Sequence, residues 1–343
     1  MSSGLPGSRI IVAALAMIVL LTGCASPAAP AAEPPVQQTP SSTPTAAVQA
    51  QETGLEQPAQ VFGGDCGLAL PVAGVTAAFG SPMVAVANPD ITNRVLVDNA
   101  GGVSCNFRSA DYGNNLVATI VPAGASVSAP VSCQDGTVNG EAGQTCTLTE
   151  VHDGILLSAL VSAPGKAGEA IAEKVMAEFT TTASPAQAAP VPIAADDAWV
   201  WPLDCAALAP DLALGSAYGN GAGYSGIAVG GSDAPTTPAE RSLLNGQETM
   251  YCAFFPAGSD GTVDQISVHG FGGARWAESA VRELAGATVV EVDGLESVIQ
   301  SPWQQGRTRI DVFDGVNWIS TTSARPGDDY AALAVIIGEL NAR

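Results

Sequence analysis

Cysteines are the residues of this 343-residue chain whose spacing most directly predicts chemistry, and the chain has seven of them. Cys24 follows an apolar run, Ile10 to Leu21, that a single basic residue, Arg9, precedes. As a helix the run would span roughly 18 Å at about 1.5 Å per residue, short of the roughly 30 Å of a bilayer core. Its length therefore disfavours a transmembrane anchor, and we predict a signal peptide over residues 1–23.

The junction Leu21-Thr22-Gly23-Cys24 resembles the lipobox of bacterial lipoproteins. The resemblance implies cleavage before Cys24, a diacylglycerol thioether on its sulfur, and often a fatty acid such as palmitate on the new amino terminus. Each buried methylene contributes about 0.8 kcal/mol, so two or three acyl chains form a stable anchor. We therefore expect a lipid-anchored protein on the extracytoplasmic face of the cell membrane.

The remaining six cysteines lie in two stretches that share an order of motifs. Asp65-Cys66 opens the first stretch and Asp204-Cys205 opens the second. Further matches in the same order are Phe79-Gly80 with Tyr218-Gly219, Cys105-Asn106-Phe107 with Cys252-Ala253-Phe254, Asp153-Gly154 with Asp314-Gly315, and Pro164-Gly165 with Pro326-Gly327. Because the order is kept throughout, we predict an internal duplication.

Duplication predicts one disulfide in each copy, Cys66–Cys105 and Cys205–Cys252. Cys133 and Cys146 then remain, only in the first copy, where a bridge would close a glycine-rich loop. Export to an oxidising compartment permits these bonds, and each would stabilise the fold by about 3–4 kcal/mol. A zinc site is the alternative, and the absence of any C-x-x-C motif disfavours it.

Candidate catalytic residues are few. The chain has two histidines. We assign His152 to a turn and His269 to a strand, where it alternates with Val268 and is expected to face solvent. Ser225 lacks the glycine two positions later that a nucleophile elbow requires, and Gly221 to Gly226 matches G-x-G-x-x-G without its strand and helix. The sequence therefore predicts no catalytic residue, no metal ligand and no cofactor.

The charge balance is strongly acidic, with 33 Asp and Glu against 12 Lys and Arg. Residues 1–23 contain Arg9 and no acid, so the mature chain would carry 11 − 33 = −22. Such a charge disfavours nucleic acid and anionic lipid surfaces as partners. Solubility at a cell surface explains the acidic charge. The abundance of Ala and Gly is typical of actinobacterial proteins.

Composition also predicts the division of the chain. Two segments rich in Pro, Ala, Ser and Thr cannot bury enough apolar surface to fold. We assign residues 24–60 to a lipidated, disordered stalk and residues 181–197 to a linker. Residues 61–180 and 198–343 are then two units of ordinary domain size.

Each unit has a helix at either end and strands between them. In the second unit, Leu333, Ile336, Ile337 and Leu340 form the apolar stripe of the last helix. Asp153-Gly154 and Asp314-Gly315 are hairpin signals. We predict an α+β fold with two duplicated units, each an antiparallel sheet with helices packed on one face and tied by disulfides.

This order of cysteine, helix, glycine, Cys-x-aromatic, hairpin and helix resembles small secreted domains of actinobacterial lipoproteins. It is also similar in style to the extracellular sensor domains of some mycobacterial serine/threonine kinases. The resemblance covers both units and implies a helix-covered sheet with a groove. Its motifs are structural, so it assigns no catalytic residue.

Aromatic residues are unevenly distributed, since all five tryptophans lie in or just before the second unit. Aromatic side chains are enriched in binding surfaces, although a larger core is the alternative explanation. Trp276, Trp303 and Tyr224 are the candidate binding surface. We expect a non-catalytic module that binds an unknown ligand or protein partner at the envelope. A secreted hydrolase of unrecognised type and a structural or assembly protein are the alternatives.

Overall fold

The computed structural model describes residues 55–88, 90–124, 128–189, 195–199, 204–228, 237–244, 249–257, 265–323 and 326–343. The predicted signal peptide, Cys24 and most of the predicted stalk lie outside these residues. All the described residues belong to one compact unit, Gln51–Arg343. Within them, no helix combines the length and the apolar composition needed to cross a membrane.

The fold is α+β, as the sequence predicts, and its first half contains a six-stranded antiparallel sheet among the described residues. The elements are α1 (Cys66–Ala69), α2 (Val72–Phe79), β1 (Met83–Val86), α3 (Ile91–Asn99), β2 (Val103–Ser109), β3 (Asn115–Pro122), β4 (Ala129–Val138), β5 (Glu141–His152), β6 (Ile155–Pro164) and α4 (Gly168–Thr182). The strand order is β1-β2-β3-β6-β5-β4. Short 3₁₀ helices at Val61–Gly64 and Pro185–Gln187 flank this half.

The second half contains a seven-stranded antiparallel sheet among the described residues. Its elements are α5 (Cys205–Leu208), α6 (Leu214–Ala217), β7 (Tyr224–Ala228), α7 (Pro238–Leu244), β8 (Thr249–Pro256), β9 (Ile266–Phe271), α8 (Glu278–Arg282), β10 (Thr288–Val290), β11 (Ser297–Pro302), β12 (Thr308–Asp314), β13 (Asn317–Ser323) and α9 (Pro326–Asn341). Its strand order is β10-β11-β12-β13-β9-β8-β7. Read from β7, this order repeats that of the first sheet, and β10 adds one edge strand. The shared topology is what duplication of one unit produces.

The three predicted disulfides are present. Cys66–Cys105 fastens α1 to β2, and Cys205–Cys252 fastens α5 to β8, so the two bonds occupy the same place in each copy. The third disulfide, Cys133–Cys146, does not close the glycine-rich loop that the sequence predicts. Cys133 and Cys146 lie directly opposite each other on β4 and β5, so the bond crosses a regular hairpin rather than closing an irregular loop.

A long carboxy-terminal helix covers one face of each sheet. Ile171, Val175 and Phe179 of α4 are buried with residues from the first sheet such as Phe107 and Leu116. The predicted stripe of α9 is buried in the same way against the second sheet. Burial of these apolar stripes is the main favourable contribution to folding in each half.

The helices α3 and α7 occupy equivalent places, each between the first two strands of its own copy, and the sequence predicts neither. Ile91 and Val95 of α3 are buried with Phe271 and Trp318 of the second sheet. Ala239 of α7 is buried in another cluster with residues of the first sheet, including Val121 and Leu156. Each half therefore packs its inserted helix against the sheet of the other half, and the two halves are in direct contact.

Candidate functional site

A cleft of about 700 Å³ lies where β1, β2 and β3 meet the start of α3. Five asparagines line it: Asn88, Asn93, Asn106, Asn114 and Asn115. Asp90, Arg108, Tyr112 and Glu240 also line it, and Glu240 comes from α7 of the other half. The second copy therefore contributes one lining residue to a cleft that is built mainly from the first copy.

Strand register explains why polar side chains reach this cleft. Along β2, Cys105 and Phe107 are buried against the helices, so the alternation of a strand turns Asn106 and Arg108 to the opposite face. Asn106 lies opposite Val117 of β3, and Arg108 lies opposite Asn115. The helix-free end of this sheet face is consequently polar.

Three of the five asparagines have no side-chain hydrogen-bond partner among the described residues: Asn93, Asn106 and Asn115. The Oδ1 atom of Asn106 is also shielded from solvent. The other two are engaged, since Asn88 Oδ1 accepts from the backbone N–H of Asp90 and Asn114 Nδ2 donates to Ser81 Oγ. A buried polar atom without a partner costs about 1–3 kcal/mol, which makes Asn106 the unusual member of the set.

Glu240 is only 3% exposed and is held by a closed ring of hydrogen bonds. Its Oε1 accepts from the Thr119 hydroxyl at 2.9 Å, and that hydroxyl oxygen accepts from Thr237 Oγ1 at 2.8 Å. Thr237 Oγ1 accepts in turn from the backbone N–H of Glu240, whose Oε2 accepts from the Thr237 N–H. Burial raises the pKa of Glu240, and the nearby Asp90 adds to the rise.

The ring of Glu240 is a capping box, and a sequence signal for it exists. Thr237-Pro238-Ala239-Glu240 places a threonine before the helix, proline at its first position and glutamate three residues after the threonine. This pattern predicts α7 and the carboxyl group that α7 brings to the cleft, neither of which is among the predictions above.

His269 occupies the position in the second sheet that Thr119 has in the first. Cys105 lies opposite Ala118, the residue before Thr119, and Cys252 lies opposite Val268, the residue before His269. His269 faces away from the α9 core, as predicted, but it is partly buried rather than solvent-facing because α3 packs over this face. Burial lowers its pKa to about 4, and the charge of Asp90 opposes that shift.

The surroundings of His269 are polar and aromatic. Its ring contacts that of Tyr251, with 3.8 Å between centroids, and Ser320 lies opposite it in the sheet. On the next strand, Asp311 lies opposite Ser320. It forms a fully buried ion pair with Arg309 at 2.8 Å. Among the described residues, no hydrogen bond reaches a ring nitrogen of His269.

The three predicted binding-surface residues are buried or partly buried. Tyr224 is 7% exposed and belongs to the α9 core, where its ring stacks on Tyr218. Trp276 is partly buried, and its Nε1 donates to Asn99 of α3, so it joins the two halves. Trp303 is partly buried beside the guanidinium of Arg309. These aromatic residues contribute to packing in the second half.

The remaining histidine and the cysteines offer no metal site in the described part of the chain. His152 lies at the β5–β6 hairpin, 3.7 Å from the carboxylate of Asp153. Among the residues that the structure describes, no three His, Cys, Asp or Glu side chains are grouped as metal ligands. The cleft is lined by the five amides, by Asp90, Arg108, Tyr112 and Glu240, and by three apolar residues, Val86, Ala87 and Val117.

No family model and no curated protein sequence matches this chain. Among solved structures, the comparison returns DynU16, a protein of the dynemicin biosynthetic locus, at 11% identity. The alignment covers 74% of this chain and 93% of that chain with a TM-score of 0.10. A similarity at that level carries no argument about fold or function.

Proposed function

We propose that this protein is a lipid-anchored lipoprotein of the cell envelope that binds a neutral, hydroxyl-rich ligand, a glycan, without catalysing its conversion. The observation that carries the proposal is the convergence of three unpartnered amides, Asn93, Asn106 and Asn115, on one cleft. A bound ligand would supply hydrogen bonds to those amide atoms that face the cleft, which do not include the shielded Oδ1 atom of Asn106.

The chemistry of the lining groups favours a glycan over other polar ligands. A side-chain amide carries donors and an acceptor together, which suits a hydroxyl group that must both give and receive hydrogen bonds. Among the described residues of the lining, the carboxyl groups of Asp90 and Glu240 outnumber the one cation, Arg108, which disfavours an anion. Both oxygens of Glu240 are already engaged, which also disfavours a cation that would need them. The volume lies within the roughly 300–1,000 Å³ common for ligand pockets.

The location is part of the same proposal. The lipobox-like setting of Cys24 supports an anchor in the membrane, and three disulfides suit an oxidising compartment outside the cytoplasm. The Pro- and Ala-rich stalk would hold the folded part away from the bilayer, among envelope glycans. The motif order shared with actinobacterial lipoproteins supports an envelope of that type.

Calorimetry on the full-length, lipidated protein tests the proposal, in a detergent that has no sugar headgroup. Intact mass first checks that Cys24 carries lipid. Neutral oligosaccharides of hexose, pentose and N-acetylhexosamine units are then titrated, with spermidine and polyglutamate as charged competitors. We expect one oligosaccharide class to bind and the charged compounds not to bind. Binding of spermidine alone, or of no oligosaccharide, would contradict the proposal.

A variant pair locates the site. Asn106→Leu removes the buried amide, so we expect it to abolish oligosaccharide binding while raising the free energy of unfolding by about 1 kcal/mol. Gln134→Leu is the matched control, since Gln134 is an exposed amide on β4 at the far edge of the same sheet. Equal loss of binding in both variants would place the ligand elsewhere.

A hydrolase is the second candidate, because His269 lies opposite Ser320 and within electrostatic range of Asp90. Ser320 is only 4% exposed and the pKa of His269 is low for a general base, so binding is the better supported function. Labelling of the wild type by a serine-reactive fluorophosphonate, lost in Ser320→Ala, would favour the hydrolase.

A further inference from the structure

Tyr112 has a backbone conformation that few residues of its kind adopt. Its φ is 59°, in the left-handed region where a side chain beyond glycine is strained. Among the described residues, the others of this kind apart from glycine are Phe62, Asn139 and Asp153. Comparison with them shows how the strain is usually offset.

The other three residues have an evident structural reason. Asn139 and Asp153 lie in the β4–β5 and β5–β6 hairpins directly before a glycine, as Tyr112 does in the β2–β3 hairpin, but Asn and Asp tolerate this conformation best. Phe62 is 1% exposed, so burial of its ring in the first core offsets the strain. Tyr112 is 59% exposed and therefore lacks that compensation.

The β2–β3 loop fixes Tyr112 in this conformation. The backbone N–H groups of Tyr112 and Ser109 donate to Ser109 O and Asn114 O, at 3.1 and 3.0 Å. The carboxylate of Asp111 accepts from the Ser109 hydroxyl and from the N–H of Gly113. These bonds lower the pKa of Asp111, so the loop is held by a charged acceptor at neutral pH.

The side chain of Tyr112 contacts another residue of the cleft. The guanidinium carbon of Arg108 lies 4.6 Å from the centroid of the tyrosine ring, and both residues line the cleft. A cation near the face of an aromatic ring is attracted by its quadrupole, which limits the ring's motion. The loop thus presents a largely exposed aromatic ring among the residues that line the cleft.

We infer that Tyr112 is a ligand-contacting platform on which a pyranose ring of the glycan stacks, while the amides of the cleft bind its hydroxyl groups. The inference rests on the proposed function. A pyranose has an apolar face of C–H groups that suits an aromatic ring, and its edge carries the hydroxyls that Asn106 and Asn115 can bind. The strained backbone is retained because it aims the ring at the ligand.

The test compares Tyr112→Asn with Tyr112→Phe in the full-length protein. Asparagine is the residue that this fold itself uses at the same conformation in the β4–β5 hairpin. We expect Tyr112→Asn to keep or raise the melting temperature, by up to about 2 °C, because the strain is relieved. Its affinity for the oligosaccharide bound by the wild type should fall at least about tenfold. Tyr112→Phe keeps the ring and should bind within about threefold of the wild type.

Two outcomes would overturn the platform. If Tyr112→Asn lowers the melting temperature by several degrees, the ring has a structural role. If Tyr112→Asn binds as the wild type does while Asn106→Leu does not bind, the platform is wrong and the proposed function stands. Failure of the wild type to bind any oligosaccharide would instead remove the proposed function itself.

Discussion

Asp98, near the end of α3, is a buried carboxyl group whose surroundings disfavour its charge. It is 9% exposed, and its Oδ2 accepts from Gln57 Nε2 at 3.3 Å. Burial raises its pKa from 3.8 to about 6, although Arg94 lowers it in part. The folded state therefore binds a proton more tightly than the unfolded state. The stability from this proton is complete below pH 3.8 and is lost as the pH rises through 6.

Asp98→Asn should consequently stabilise the protein at neutral pH. The neutral amide keeps an acceptor for Gln57 and has no charge to desolvate. We expect the free energy of unfolding to rise by about 2–3 kcal/mol at pH 7, with little difference at pH 4. Urea denaturation at both pH values measures it, with the exposed Asp293→Asn as control. An equal effect at the two pH values would show that burial of charge is not the cause.

At the scale of elements, the start of α7 joins the two halves. Thr237 is fully buried, and its hydroxyl serves both the helix and Thr119 of the other half. Thr237→Ala should lower the free energy of unfolding by about 2–3 kcal/mol, since a cap is lost and buried groups lose a partner. Thr237→Ser retains the hydroxyl and should restore most of that stability. Equal losses in the two urea melts would argue that the methyl group, not the hydrogen bond, matters.

Local patterns predict those elements that local physics determines. Asp314-Gly315 specifies a hairpin by itself, and the stripe that includes Leu333 and Ile337 specifies α9. Duplicate motif order pairs the cysteines correctly, because equivalent positions in two copies must form equivalent bonds. The helix α3 is not predicted from the sequence, although Asp90 is a typical cap for its start. The Oδ1 atom of Asp90 accepts a hydrogen bond from the backbone N–H of Thr92. The apolar residues of α3 pack against the other half of the molecule. The sequence pattern of one unit does not contain that partner surface.

At the scale of the whole molecule, the candidate site depends on contacts between distant parts of the sequence. Asn106 and Asn115 meet through strand register, and Glu240 arrives from the second copy. No spacing along the chain encodes that meeting. The aromatic surplus of the second half contributes to packing instead, and Trp276 bonds to Asn99 across the junction of the halves. The cleft therefore forms only when the two duplicated halves fold together.

The central claim is that the unpartnered amides of the cleft bind a glycan. Selective ¹⁵N labelling of asparagine in the full-length protein tests it most directly, by titration with the oligosaccharide that binds in calorimetry. We expect the side-chain NH₂ resonances of Asn93, Asn106 and Asn115 to shift together and saturate at one stoichiometric equivalent, while that of Asn341 stays in place. Saturable binding that leaves the three cleft resonances unmoved would contradict it.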